Sequence, residues 1–265
     1  MSNHSALNTF GKSGNPAIRS SAFDTRSSNP SDRMTLNGAV NKTAVSLAVL
    51  VSTATIAWNF ASSPSVLLIG AITTFAGVIS MIATFGFYMF FIGWVVKPRP
   101  YLAPKTYLIS AAGQGFLVGG ASLAAETQYP GIVLEAVSLT FFVAASLLFA
   151  YKTAIIRPTQ NFALMVFSAT VGIMLFYLSM FIYSAFTGGP MPDIISGNSN
   201  SAIGFSLFVV AMAAFNLVID FDIIEQSADE GAPKYMEYFG AMALTVTLVW
   251  LYMEILRLLM KLRSR

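Results

Sequence analysis

The chain has no cysteine and a single histidine, His4, which lies in a polar N-terminal segment. The absence of cysteine excludes disulfides, thiolate zinc sites, iron–sulfur clusters and cysteine nucleophiles. Because the histidine lies outside every apolar segment, neither a di-histidine metal site nor a Ser–His–Asp triad is available there. We therefore expect no enzymatic activity and no cofactor.

Charge is also scarce. Asp, Glu, Lys and Arg make up 10% of the 265 residues, against about 25% in an average soluble domain. Hydrophobic residues account for 55%, and the mean hydropathy is +0.68. So few charges predict that the protein's main partner is the lipid bilayer. The basic residues lie at segment ends and form no stripe interleaved with aromatics, so nucleic acid is not an expected partner.

Residues 1–42 differ from the remainder of the chain. They are rich in Ser and Asn, contain no apolar run, and carry Lys12, Arg19, Arg26, Arg33 and Lys42. A secretory signal would place an apolar core within this segment. We predict a disordered basic leader over 1–42 that stays in the cytoplasm, followed by a transmembrane domain over 43–265.

Long uncharged segments, divided by turn residues, follow the leader. About 20 apolar residues at 1.5 Å rise per residue suffice to cross a bilayer. The pattern predicts an all-α fold, a bundle of seven membrane-spanning helices at about 43–61, 66–96, 106–125, 131–151, 161–186, 201–221 and 238–260.

Basic residues predict the orientation of the spans. Lys and Arg occur in the leader and in the connections after the second, fourth and sixth spans, and are absent from 62–65, 127–130 and 187–200. This alternation places the N-terminus in the cytoplasm. The basic C-terminus, which includes Lys261 and Arg263, disagrees with the rule. The last helix therefore either crosses fully or re-enters and returns, and its length favours a full crossing.

Acids near the spans are informative because a charge at the bilayer centre costs about 2.5–3.5 kcal/mol. Asn216 and Asp220, four residues apart, share a face of the sixth span. Asp222 follows at its end, and Glu237 opens the seventh. We take these four as candidates for an ion path or pH sensor, since carboxylate oxygens suit a hard cation such as calcium. The alternative for the acids after Asp220, namely Asp222, Glu225, Asp229 and Glu230, is a solvated loop.

Two further groups are predicted within the spans. Glu135 and the Glu254/Arg257 pair fall in the same outer half and can form a polar cluster there; alternatively, Glu135 lies at the interface and Glu254 only neutralises Arg257. Gly115 and Gly119 form a G-x-x-x-G pattern, which predicts close packing against another helix.

Several strings, taken in their order and spacing, resemble the Bax inhibitor-1/YccA-like family, in the bacterial branch with a long leader. They are Asn15–Phe23, Met34–Gly38, Asn41–Thr43, Tyr129–Ala136, Asn216–Asp222, Glu230–Glu237 and Leu248–Arg257. The resemblance implies a seven-helix fold with a central last helix and a location in the bacterial inner membrane. It also implies a pH-sensitive calcium leak.

The same resemblance implies a gate at which two aspartates, on the sixth and seventh helices, share a proton near the cytoplasmic side. Asp220 matches the first of them. The second position aligns with Thr247, so the second aspartate is absent; Asp222 or Glu237 can stand in for it without matching its position.

Three functions are therefore compared. The first is a calcium or cation leak gated by protonation of Asp220. The second is a non-conducting interaction protein that modulates proteases or stress responses through other membrane proteins, with the leader and the acids of 222–230 as docking sites. The third, an intramembrane aspartyl protease, is disfavoured because Asp220 and Asp222 point about 200° apart on one helix.

Overall fold

A computed structural model describes residues 32–61, 103–156, 158–188 and 192–265. In these ranges the chain is all-α. The helices are α1 (Leu36–Ala61), α2 (Ala103–Gln128), α3 (Ile132–Lys152), α4 (Gln160–Thr187), the single turn α5 (Asp193–Ser196), α6 (Asn200–Asp229) and α7 (Met236–Arg263). The predicted second span, 66–96, and residues 1–31 of the predicted leader lie outside the described ranges.

Six of the helices in the described ranges are long and apolar enough to cross a bilayer. They correspond to the first and the third to seventh predicted spans. Side chains cap the start of two of them: Thr159 accepts a hydrogen bond from the backbone N–H of Phe162, and Ser199 accepts one from that of Ala202. Such caps satisfy backbone donors that a helix leaves unpaired at its start. The protein is an integral membrane protein.

The last helix, α7, lies at the centre of the bundle. In the most apolar 18-residue window of α7, 72% of the residues are buried; the corresponding shares are 50% for α6 and 17% for α3. It packs against α1, α2, α3 and α6. The central last helix is therefore confirmed. Its own large side chains, such as Phe239, Met242 and Leu251, are buried among its neighbours.

The G-x-x-x-G pattern forms a close helix contact, as predicted. An added Cβ at Gly115 would lie 2.3 Å from the carbonyl oxygen of Leu50, and one at Gly119 would lie 2.3 Å from that of Ala54. Both carbonyls belong to α1. Only residues without a side chain let the backbones of α1 and α2 approach this closely.

Helix α1 begins at Leu36, whereas 43 was predicted. The residues before it are ordered against the α6–α7 turn: the backbone N–H of Met34 donates to Ala232 O at 2.7 Å, and that of Lys234 donates to Asp32 O at 2.9 Å. The tail end of the predicted leader, 32–42, is thus an antiparallel pairing followed by a helix. Its polar composition concealed this, because the partners of its polar groups lie some 200 positions away.

Helix α6 continues to Asp229, whereas 221 was predicted. The additional eight residues extend it by about 12 Å. Consequently Asp222, Glu225 and Asp229 are helical residues, and their interpretation as a solvated loop was wrong in its secondary structure. The helix ends at Asp229, and Gly231 shortly after it turns the chain with a φ of +74°, which suits a residue without a side chain.

The two ends of the bundle are defined by their contacts. At one, the leader end, residues 32–35 meet the α6–α7 turn. At the other, the C-terminal end, Asn198 donates to Ser264 O at 2.8 Å and Arg263 donates to Pro130 O at 2.9 Å. Helix α7 runs without interruption from one end to the other, as the full-crossing alternative predicts.

Candidate functional site

Buried polar side chains follow the length of α7, and we call them the polar seam. From the leader end to the C-terminal end they are Glu237, Thr245, Thr247, Tyr252, Glu254 and Lys261. A different helix or segment supplies a partner at almost every level: Ser46 of α1 meets Thr245 at 2.8 Å, and Ser122 of α2 meets Tyr252 at 2.6 Å. Buried polar groups need such partners in a medium without water, so the seam links α7 to its neighbours.

Asp220 is fully buried in the contact between α6 and α7. The hydroxyl of Thr247 donates to its Oδ2 at 2.5 Å. Thr247 lies near the middle of α7, so the carboxylate is well inside the bundle. This is a carboxyl group at a depth where ionisation is costly, joined to the central helix through a neutral hydroxyl.

Asn216 lies one helical turn from Asp220 and is 2% exposed. Its Nδ2 donates to Thr170 Oγ1 of α4 at 2.8 Å and to the carbonyl of Met212 at 2.9 Å. The carbonyl can only accept, which fixes the orientation of the amide. Among the described residues, Asn216 Oδ1 has no hydrogen-bond partner.

Glu237 lies at the leader end of the seam, where α1 and the residue just before it supply its partners. Its Oε1 accepts from the N–H and the hydroxyl of Thr35, both at 2.9 Å. Its Oε2 forms an ion pair with Lys42, whose ammonium also lies 4.6 Å from the centre of the Tyr238 ring. Because Thr247 follows ten residues later, Glu237 is about 15 Å away from it along the axis of α7.

Asp222 is turned toward α3. The hydroxyl of Tyr151 donates to Asp222 Oδ1 at 3.1 Å and also to Glu225, and Gln226 donates to Asp222 Oδ2. Tyr151, Asp222 and Glu225 border a cleft of about 440 Å³ together with Lys152. Asp222 and Glu237 therefore have other partners, and the residue that bonds to Asp220 is Thr247, at the position of the missing second aspartate.

Toward the C-terminal end the seam carries opposite charges. One guanidinium nitrogen of Arg257 lies 3.0 Å from both carboxylate oxygens of Glu254, which is fully buried, and 2.8 Å from the hydroxyl of Tyr177. Lys261 donates to the carbonyls of Ile194 and Ala202 at 3.3 and 3.1 Å. The charges of Glu254 and Arg257 compensate each other, whereas the ammonium of Lys261 is held by backbone carbonyls.

Glu135 does not join that group. It pairs with Arg263 at 2.5 Å, with the two side chains 50% and 35% exposed. The predicted outer cluster therefore divides into a buried Glu254/Arg257 pair and a surface Glu135/Arg263 pair. Across the described residues, no group of three or more His, Cys, Asp or Glu could hold a metal ion.

Comparison with known proteins agrees with this architecture. The family described as Bax inhibitor 1 like matches residues 15–264. The chain belongs to the Bax inhibitor 1 like family. Searches of curated proteins and of solved structures gave no match.

Within this Bax inhibitor 1 like chain, the two positions singled out by resemblance are in direct contact. Asp220 was matched to the acid of the sixth helix and Thr247 to the place of the second acid, and the hydrogen bond joins these two side chains. What differs is the chemistry of the contact, because a threonine cannot carry the second negative charge.

Sequence reasoning missed the partners in this Bax inhibitor 1 like bundle. Tyr151, Thr170 and Tyr177 are single polar groups in apolar helices, where an interfacial or packing role is the usual expectation. Lys42 was assigned to the leader. One signal was available: Lys42 directly precedes the uncharged segment that begins at Thr43, and a lysine next to an apolar segment needs an acid from elsewhere if it is to be buried.

Proposed function

We propose that this membrane protein is a pH-sensitive leak for cations, calcium in the first place, gated by protonation of Asp220. The observation that carries the proposal is the position of Asp220: a fully buried carboxyl group in the α6–α7 contact, bonded to the central helix by Thr247. An intramembrane acid facing the interior of a bundle is typical of ion pathways and proton relays.

The gating step follows from hydrogen-bond chemistry. An ionised Asp220 can only accept from Thr247, whereas a protonated one can also donate. The proton therefore changes both the charge in the α6–α7 contact and the direction of its hydrogen bond. Two packings of these helices that differ by a few kcal/mol would be redistributed by such a change.

The decisive experiment measures calcium influx into liposomes that contain the purified protein, at about pH 6 and about pH 8. Flux through the wild type is expected to differ between the two. Asp220→Asn, which resembles the protonated side chain, is expected to abolish the difference and to reproduce the wild-type flux at low pH.

Asp222→Asn is the matched control. It makes the same chemical change two residues further along α6, on a side chain that bonds Tyr151. It is expected to keep the pH response. Flux that is equal at both pH values, or that survives Asp220→Asn unchanged, would contradict the proposal.

A second candidate is a non-conducting interaction protein. It is favoured by the pairing of residues 32–35 with the α6–α7 turn, since that pairing holds the end of the leader against residues 232–234, shortly after Glu230 in the chain. The end of one predicted docking element therefore lies beside the turn that follows the other. Liposomes silent at both pH values, together with a partner lost on deletion of residues 1–31, would favour this role over the leak.

The proposal includes an orientation, with the leader end in the cytoplasm of a bacterial cell and the C-terminal end outside. The natural absence of cysteine allows a direct test with single-cysteine variants. Asp229→Cys is expected to react with an impermeant maleimide only after the cells are opened, and Thr127→Cys already in intact cells. The reverse pattern would invert the topology.

A further inference from the structure

The last buried member of the polar seam, Lys261, is held by backbone groups and not by an acid. It is 5% exposed, and its ammonium donates to the carbonyls of Ile194 and Ala202 at 3.3 and 3.1 Å. Within the described ranges, no carboxylate lies at ion-pair distance from this ammonium. A lysine near the end of a spanning helix usually extends its flexible stem and places the charge in water. The buried position of this ammonium is therefore one that costs free energy.

Lys261 gives the C-terminal end of the seam an excess of positive charge. Glu254, Arg257 and Lys261 lie at positions i, i+3 and i+7 of α7 and so share one face of the helix. Glu254 is neutralised by Arg257, which leaves the ammonium as the excess charge of the three. Asp193, the acid of α5, is exposed and accepts a hydrogen bond from Ser199. A cation that follows the seam through this end therefore approaches a net positive charge.

Residues 193–200, which we call the α5 segment, cover the C-terminal end and keep the ammonium inside. The side chain of Ile195 anchors the segment and is 5% exposed, and α5 packs against α6. Asn198 also donates to Ser264 O at 2.8 Å. The carbonyl of Ile194 is one of the two acceptors for the ammonium. The segment that covers the end of the bundle thus also holds the charge there, and its displacement would release that charge to water.

We infer that Lys261 limits the passage of cations through the C-terminal end of the bundle, and that the α5 segment sets this barrier by holding the ammonium in the seam. The inference rests on the proposed function and adds a second control point to it. Fixed positive charge along a pathway excludes cations. Because Lys261 follows Thr247, the partner of Asp220, by 14 residues, the barrier is about 21 Å from that contact along α7.

An electrostatic barrier has a quantitative signature, because the work of moving an ion past a fixed charge is proportional to the charge of the ion. Lys261→Met removes the charge and keeps an unbranched side chain. It is expected to raise calcium flux into liposomes about tenfold and potassium flux about threefold, so that the factor for the divalent ion is roughly the square of the other. A path that is only wider or looser would raise both fluxes by the same factor.

Two variants control for the loss of the side chain and for its charge. Lys261→Arg keeps the charge and is expected to conduct like the wild type. Arg263→Met is the matched control, since it removes a positive charge two residues further along α7 from a surface pair with Glu135. Because solvent and salt screen an exposed charge, both fluxes are expected to stay within about twofold of the wild type.

Chemical labelling tests the α5 segment without reference to flux. With the full chain in detergent micelles, a water-soluble amine reagent is expected to modify Lys261 about tenfold more slowly than the exposed Lys152, because a buried group reacts only when its cover opens. Mass spectrometry locates the modified lysines. Ile195→Ser, which weakens the anchor of the segment, is expected to remove the protection and to raise calcium flux. Ile155→Ser makes the same change at an isoleucine that is 73% exposed and is expected to do neither.

Unchanged calcium flux in Lys261→Met, or an equal factor for both ions, would overturn the inference and leave an Asp220-dependent leak intact. Labelling of Lys261 as fast as that of Lys152 in the wild type would overturn it as well. Absence of flux from the wild type and every variant would instead reject the leak, and the barrier with it. If Ile195→Ser does not fold, Asn198→Ala replaces it: faster labelling of Lys261 supports the role of the α5 segment, and unaltered labelling contradicts it.

Discussion

Buried carboxyl groups along the two halves of α7 have partners of different charge. Near the C-terminal end, Glu254 is matched by the guanidinium of Arg257, which Tyr177 also contacts. Near the middle, Asp220 is met by the neutral hydroxyl of Thr247. A buried ion pair is a lasting structural element because breaking it leaves an unpaired charge. Protonation of a buried acid that is held by a hydroxyl breaks no ion pair and leaves no cation without its partner, which suits a switch.

The largest effect is expected from Arg257→Met, which tests the difference between the two halves because it leaves Glu254 buried without its cation. We expect a loss of about 3–5 kcal/mol in the free energy of unfolding, measured as reduced stability in mixed micelles. The double variant Glu254→Gln, Arg257→Met should recover most of the loss. A single variant as stable as the double one would show that the pair is not a structural element.

At the leader end, Lys42→Met removes the cation from Glu237 while Thr35 still donates two hydrogen bonds. We expect a loss of about 2 kcal/mol, less than at Arg257, because a charged hydrogen bond is lost at a partly exposed group. Proteolysis near residues 32–35 should become faster, since their attachment to the α6–α7 turn is weakened. Lys42→Arg keeps the charge and serves as the control; a loss as large as that of Lys42→Met would implicate packing instead.

Thr247→Val sharpens the comparison at the middle of α7. It removes one hydrogen bond to Asp220 at nearly constant volume, with an expected loss of about 1 kcal/mol in stability. The difference in calcium flux between low and high pH should be strongly reduced although stability falls only slightly. Thr247→Ser should preserve both the pH response and the stability. Unchanged pH dependence in Thr247→Val would separate this hydrogen bond from gating.

The smallest effect is expected at the surface. Glu135→Gln breaks the exposed pair with Arg263 and should change the free energy of unfolding by about 0.5 kcal/mol or less, since exposed ion pairs contribute little. Thermal unfolding at low and high salt checks this. A loss comparable to that of Arg257→Met would mean that the C-terminal end depends on this contact more than its exposure suggests.

Much of the fold was predictable because apolar length is a local property of the chain. The spans at 106–125, 131–151, 161–186 and 238–260 differ from the observed helices by three residues or fewer at each end. The larger differences occur where polar residues continue a helix, at Leu36 and at Asp229. Near these two ends, Glu237 binds Lys42 and Tyr151 binds Asp222, so both charged side chains have partners within the bundle. The partners lie on other helices, and the local sequence pattern therefore does not reveal them.

The sequence by itself determined that the protein belongs in lipid, where its helices lie, and that Asp220 is an acid too costly to be placed there without a partner. These follow from composition and from the free energy of moving charge out of water. The tertiary structure decided which groups meet: Thr247 with Asp220, Lys42 with Glu237, Arg263 with Glu135. Such pairings depend on how each helix is rotated and how far it is shifted against α7, and those are properties of the packed bundle rather than of any single segment.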